Sequence, residues 1–450
     1  MWWWEEDKIM QDNIQELMDK LGNKVSSGEL FKVNFKTVPV DYEMNQLKSI
    51  NSEEVEGWAL RVIDNGKIGF SSSTSESQFE NMIARAKEIA QFGQPALFDF
   101  PEQVKIPRKG KLKLYDRSVS KKSIAEMIEM GNSIISRAHC LNSELRCDVG
   151  IVKQEGQVRY CNTHGASFDY QKTTFASSIM IQDTKEDDMM MLMESRQWGQ
   201  DALSLDSLWE NIEQKFNWGK KIVEIDSGYM PVIFTPKALL VLILPLIAGL
   251  NGRMVNKKIS PLQDKLGQTL FSPLLSIYND GTIDYAEGSA PCDDEGIPMQ
   301  KLPLVEKGVL KNYYYDLQNA AEAKVEPTGN GIRNSYHTSP SPGISNLVIP
   351  EGETTFADMV KDIKKGIVVD QVLGLGQGNI LSGAFSNNVQ LGYKIEKGKI
   401  TGRIKNVMIA GNALEVLKDI VAIGSEVDWK SGRYCFPHIY IKSISVATKN

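Results

Sequence analysis

The stretch Glu326–Asn346, EPTGNGIRNSYHTSPSPGISN, decides how this chain is read. Gly329, Asn330 and Gly331 in a row suit backbone conformations that side chains normally forbid, so the segment is a shaped loop. Arg333, Asn334, Tyr336 and His337 follow as a dense set of hydrogen-bonding groups. Pro340 and Pro342 then hold the chain extended. Composition alone describes a surface loop with polar decoration. The alternative is a binding loop, with Asn330, Arg333, Tyr336 and His337 as substrate-cleft residues. Arg333 suits that role best, because a guanidinium offers carbonyls or a carboxylate a fixed fork of donors. It could equally brace its own loop against Asp293 or Asp294.

Further strings surround this loop. CDDEGIP stands at Cys292–Pro298, GVLKNY at Gly308–Tyr313 and P-T-G-N-G-x-R at Pro327–Arg333. Together they resemble the TldD/PmbA family, once labelled "modulator of DNA gyrase" and now regarded as a two-subunit metalloprotease. Gly57–Ser73 is similar to the family's N-terminal hairpin. Gly378–Ser386 and Gly411–Gly424 are similar to its late C-terminal signatures. Each string alone is weak; together, in the family's order, they are specific.

One departure matters most. Catalytic relatives carry H-E-x-x-x-H on a helix just before a G-L-x-G segment, here Gly249–Gly252. Counting back from Gly249, the motif positions hold Ile243, Leu244, Pro245, Leu246, Ile247 and Ala248. Zinc needs imidazole, thiolate or carboxylate ligands, and its bound water needs a carboxylate base; this stretch has neither. The resemblance therefore implies the PmbA (TldE) branch: a non-catalytic, pseudoenzyme-like subunit with no catalytic or metal residue of its own. Zinc is expected on a TldD-like partner, which supplies two histidines, a cysteine and the general-base glutamate. The pair would form a dimer around a cleft for unfolded peptide. Two alternatives stay open. One is a stand-alone metallohydrolase with a displaced site drawn from Cys292, Asp293, His337, Cys435 and His438. The other is a homodimeric peptide-binding or scaffold protein.

Composition narrows the field. At 450 residues the chain has room for two or three domains. Its 42% hydrophobic and 24% charged content is ordinary for a globular protein. A net charge of −6 gives no basic footprint for nucleic acid. The start, Met1–Asp7, lacks the basic and apolar regions of a secretory signal. The longest apolar run, Ala238–Leu250, contains Pro245 and falls short of the roughly 20 residues of a membrane span. Five irregularly spaced cysteines read as reduced thiols. A cytoplasmic location without nucleic-acid or membrane partners is expected.

The fold class reads as α+β. The spacing predicts a first helix over 9–22, and Asp64-Asn65-Gly66 a hairpin between Ala59–Ile63 and Lys67–Ser71. Helices follow near 79–92 and 122–137, then a second, mixed sheet, with a turn at Gln154–Gln157. Met189–Met191 reads as a core-filling strand rather than a metal site. A helix over Ser207–Ile222 leads to a boundary at Asp226–Gly228. This gives an N-terminal α+β domain, 1–226, with a possible sub-boundary at 97–113, and a β-rich C-terminal domain, 228–450. The latter holds a uniformly apolar helix at 236–250, capped by Thr235 and enclosed on all sides. Later helices are expected at Phe356–Lys365 and from Asn412 through Ile423. Gly374-x-Gly376-x-Gly378 lacks the lysine of a phosphate loop and reads as a tight turn.

Overall fold

The computed structural model describes residues 14, 16–104, 112–186, 188–201, 205–377 and 379–448. The start of the first predicted helix, Gly378 and residues 105–111 of the connector lie outside them.

Chain hydrogen bonding organises the protein into two main sheets. The first takes β1 (Ser27–Glu43), β2 (Gln46–Ser49), β3 (Glu53–Asp64), β4 (Lys67–Ser73), β5 (Arg146–Asn162), β6 (Ser167–Lys185) and β7 (Asp188–Trp198). Its order is β4-β3-β1-β5-β6-β7, with β2 on β1, antiparallel throughout. The predicted hairpin and the later strands thus share one sheet rather than two. The strand that joins them, β1, alternates over Phe31–Lys36 and again, in the other phase, over Val38–Tyr42, a pattern the expected hairpin left out. Gln154–Gln157 is not a turn but lies within β5, bonded to β1 and β6 on either side. Gly156 is there for close packing: a Cβ would come 2.3 Å from the Asn34 carbonyl oxygen. The reversal falls later, at 163–165, where Gly165 has φ +93°.

The second sheet contains β8 (Gly228–Phe234), β9 (Ile277–Asp280), β10 (Lys301–Glu306) and β11 (Val309–Leu310). After a separate small ribbon, β12 (Gly331–Ile332) with β13 (Ser341–Pro342), it adds β14 (Leu347–Val348) and β15 (Lys365–Val372). Then follow β16 (Ala384–Glu396), β17 (Lys399–Arg403), β18 (Val407–Asn412), β19 (Ile420–Lys430) and β20 (Tyr434–Thr448). The order β20-β18-β16-β15-β8 returns on itself, because β8 also pairs with β20. Those five strands form a closed barrel.

The apolar helix, Leu240–Leu250, packs into the core with Phe234, Val389, Ile409 and Ile439. It begins after a turn over 236–239, where Ala238 N donates to Thr235 Oγ1. Two predicted helices are shorter than expected. Phe356–Asp362 stops before Lys365, which starts β15, and Ala413–Val416 gives way to β19. In both places pairing with neighbouring strands overrides the local helical pattern. Among the described residues no helix is long and apolar enough to cross a membrane.

Candidate functional site

The signature loops converge on the N-terminal sheet. Asp293 Oδ1 accepts from Glu295 N and Ile297 N at 3.0 and 2.9 Å, and its Oδ2 accepts from Gly331 N at 2.8 Å. Burial, with Glu295 nearby, pushes Asp293 well above the usual carboxylate range. Asp294 Oδ2 accepts from Arg333 N at 2.6 Å. Glu295 is fully buried: Oε1 accepts from Arg61 Nη1 at 2.6 Å and Oε2 from Leu317 N at 2.7 Å. Only glycine fits at position 331, where a Cβ would sit 2.2 Å from Glu295 Oε2.

Arg333 turns inward. Its Nη2 donates to Glu29 Oε1 at 2.6 Å, its Nη1 to Thr338 O at 2.8 Å, and its side chain is 1% exposed. Glu29 on β1 also meets Arg61 Nε of β3 at 2.8 Å. Two arginines and two glutamates thus form one buried network between the N-terminal sheet and the C-terminal loops. Phe31 and Phe70 flank the Arg333 guanidinium, and Phe98 and Phe100 that of Arg61. Asn330 is also fully buried, donating to Gly343 O at 2.7 Å and accepting from Thr328 Oγ1 at 2.9 Å. Arg333 thus braces its loop, but with other partners than expected: its guanidinium meets Glu29 and Thr338 O, and only its backbone N–H reaches Asp294. Sequence reading missed Glu29 and Arg61. Arg61 stands as a lone charge within the apolar run Trp58–Ile63, whereas Glu29, between Ser27-Gly28 and Lys32, carries no such signal.

Tyr336 and His337 remain at the surface of this junction. Their ring centroids lie 3.7 Å apart with the planes tilted by 44°, and His337 Nδ1 lies 3.3 Å from Ser72 Oγ of β4. Tyr336 leans over Gly57 of β3, where a Cβ would meet the ring at 2.4 Å.

The motif positions on the apolar helix lie elsewhere. Ile243 is fully buried, whereas Leu244 and Pro245, with Val241, line a pocket of about 370 Å³. Leu373–Gln377, Ile380 and Ala384–Asn388 complete it. Gly374 and Gly376, at φ +73° and +77°, form the tight turn along its rim. Asn387 Nδ2 donates to Leu373 O at 2.8 Å and holds that turn against β16. The pairing of β15 with β16 ends at Val372↔Val389, while β18 covers one edge of Ala384–Asn388. Among the described residues no strand pairs with the other edge of Ala384–Asn387. The pocket thus offers backbone groups, amides and aliphatic carbon, and none of its described lining residues is ionisable. It can hold an extended chain; it cannot transfer a proton. Ile243, Leu244 and Ala248 do not fit zinc.

The displaced-site candidates lie apart: Asp293 is buried, His438 is half-buried and His337 is exposed. Cys292 and Cys435 are buried, and burial pushes the Cys435 thiol up to about 12. His438 packs on Phe356, its imidazole pushed down to about 4 by burial. Among the described residues no group of three or more His, Cys, Asp or Glu could hold a metal ion. A second buried charge cluster lies between the two main sheets. Glu194 of β7 accepts from Lys215, Lys237 and Lys430, and Asp370 of β15 accepts from Lys215.

Residues 227–448 match the model of the PmbA/TldA metallopeptidase C-terminal domain, and residues 28–90 match that of PmbA/TldA metallopeptidase domain 1. The chain belongs to the TldD/PmbA family. A metalloprotease TldD homolog of Haemophilus influenzae is 38% identical over 46% of this chain and 43% of its own length. A metalloprotease of Methanothermobacter thermautotrophicus is 24% identical over 93% of this chain and 92% of its own. The crystal structure of TldE from Thermococcus kodakarensis superposes with a TM-score of 0.86 at 22% identity, covering 96% of this chain and 99% of that one. That likeness shows a TldD/PmbA fold. Within the family, the signature strings CDDEGIP and PTGNGIR serve here to dock the two halves of the chain.

Proposed function

We propose that this chain is the TldE-like, metal-free subunit of a TldD/TldE-type metallopeptidase, and that it supplies part of the wall of the peptide cleft. The observation that carries this is the apolar helix itself. It keeps its place beside a pocket and a free strand edge, yet presents Leu244 where catalytic relatives have the general base. An extended peptide laid along Ala384–Asn387 gains main-chain hydrogen bonds with little demand on sequence. Exposed His337, beside half-buried Tyr336, offers a second contact at the junction of the two halves. Zinc, its ligands and the base come from the partner, so no chemical step is assigned to residues of this chain.

The test is reconstitution with a zinc-motif paralogue from the same genome. The pair is expected to co-purify and to cleave unfolded peptide, with each chain inactive alone. A free-edge block, Ser386→Pro, should lower turnover by the pair while leaving assembly intact. Peptidase activity of this chain alone, with zinc bound in stoichiometric amount, would overturn the reading in favour of a displaced site. Failure to bind the paralogue while binding peptide as a homodimer would overturn it in favour of a scaffold.

A further inference from the structure

The methionines of β7 split between the two faces of the N-terminal sheet. Met190 and Leu192 point into the core with Ile179 and Ile181 of β6. Because strand side chains alternate, Met189, Met191 and Met193 share the opposite face. Met180 of β6 pairs directly with Met193, and Gln182 pairs with Met191. Met193 is 46% exposed, while Met180 and Met191 are half-buried. The predicted core strand therefore holds only for Met190.

We propose that Met180, Met191 and Met193 form a thioether site for Cu(I). The register puts Met180 and Met193 side by side, with Cβ atoms about 5 Å apart. Met191 lies about 7 Å along the strand from Met193 and on the diagonal from Met180. Unbranched methionine side chains with three rotatable bonds reach inward from all three corners of such a triangle. Soft thioethers select Cu(I) over the harder divalent ions, and a three-sulfur set needs no charged ligand. Asp148, paired with Met180 on β5, adds a nearby negative charge that favours a cation. Met189 faces the same way but pairs with Thr184, too far from Met180 to join the triad.

The test uses a Cys140→Ser background, because Cys140 is an exposed thiol and the other cysteines are buried. Ag(I) is titrated as a redox-inert probe while methionine methyl signals are followed by NMR, and Cu(I) affinity is read by competition with bathocuproine disulfonate. One equivalent of Ag(I) is expected to shift the methyls of Met180, Met191 and Met193 together. Met→Leu at all three positions conserves volume, so the melting temperature should hold. That variant should lose about ten-fold or more in Cu(I) affinity, the scale seen when metal-holding groups are removed. Met189→Leu should leave affinity unchanged. Equal affinity in the triple variant, shifts spread over all methionines, or no withdrawal of Cu(I) from the chelator would each overturn the proposal.

Discussion

Arg333 Nη2 donates to Glu29 Oε1 at 2.6 Å across a sequence separation of 304 residues. This one bond joins the family's signature loop to the first strand of the N-terminal sheet. Arg333→Ala removes one of the two arginines paired with buried Glu29, and breaking a buried pair from one side costs about 3–5 kcal/mol. Urea unfolding should show that loss, with peptide turnover by the reconstituted pair falling in step. Normal stability with lost turnover would instead make Arg333 a substrate contact. Arg333→Lys should rescue little, since a single ammonium cannot replace the fork that meets both Glu29 and Thr338 O.

The apolar helix should respond unevenly to truncation. Leu246 is buried in the core, so Leu246→Ala should cost about 2–5 kcal/mol. Leu244 borders the pocket, and Leu244→Ala should cost only about 1 kcal/mol while enlarging the pocket. Equal losses in denaturant midpoint at both positions would contradict the pocket-facing placement.

Glu295 gives stability a pH signature. Burial raises it from the ordinary 4.5 to about 7, against the pull of Arg61. The folded state then holds this proton more tightly than the unfolded chain. The contribution is full below about 4.5 and lost as pH rises to about 7. Glu295→Gln removes that dependence, so the variant should gain on wild type between pH 5 and pH 7.5. A difference in unfolding free energy that stays constant or moves the other way would refute it.

His438 works in the opposite direction. Burial holds it neutral in the folded state, down to about 4 from 6.5. Its contribution is present above 6.5 and lost as pH falls toward 4. Thermal scans from pH 7 to pH 4.5 should show a shallower acid decline for His438→Leu than for wild type.

Gly57 reports on loop docking. Gly57→Val drives a side chain into the Tyr336 ring, an overpacking worth about 1–3 kcal/mol. Adding Tyr336→Ala should recover much of that loss, because the two sites share one contact. Strictly additive losses would mean that Tyr336 does not rest on Gly57.

Local patterns in the sequence determined a good deal. Asn65-Gly66 specified the β3–β4 hairpin, apolar spacing specified the helix Ile124–Leu141, and the greasy run before Gly249 specified a core helix, though not its pocket-lining edge at Leu244. Each rests on residues within a few positions of one another, where propensity, capping and periodicity act. The signature strings were legible as a family mark, but not as contacts. Only the tertiary structure decided that Arg333 faces Glu29, that Glu295 faces Arg61, and that Leu244 borders a pocket made by Leu373–Gln377, Ile380 and Ala384–Asn388. It also decided that Gln154–Gln157 runs straight through β5, because strands on both sides supply hydrogen bonds that a local turn signal cannot outweigh. The reason is common to all four. A buried charge must find its partner wherever the fold brings one, and an open edge exists only where a neighbouring strand happens to end.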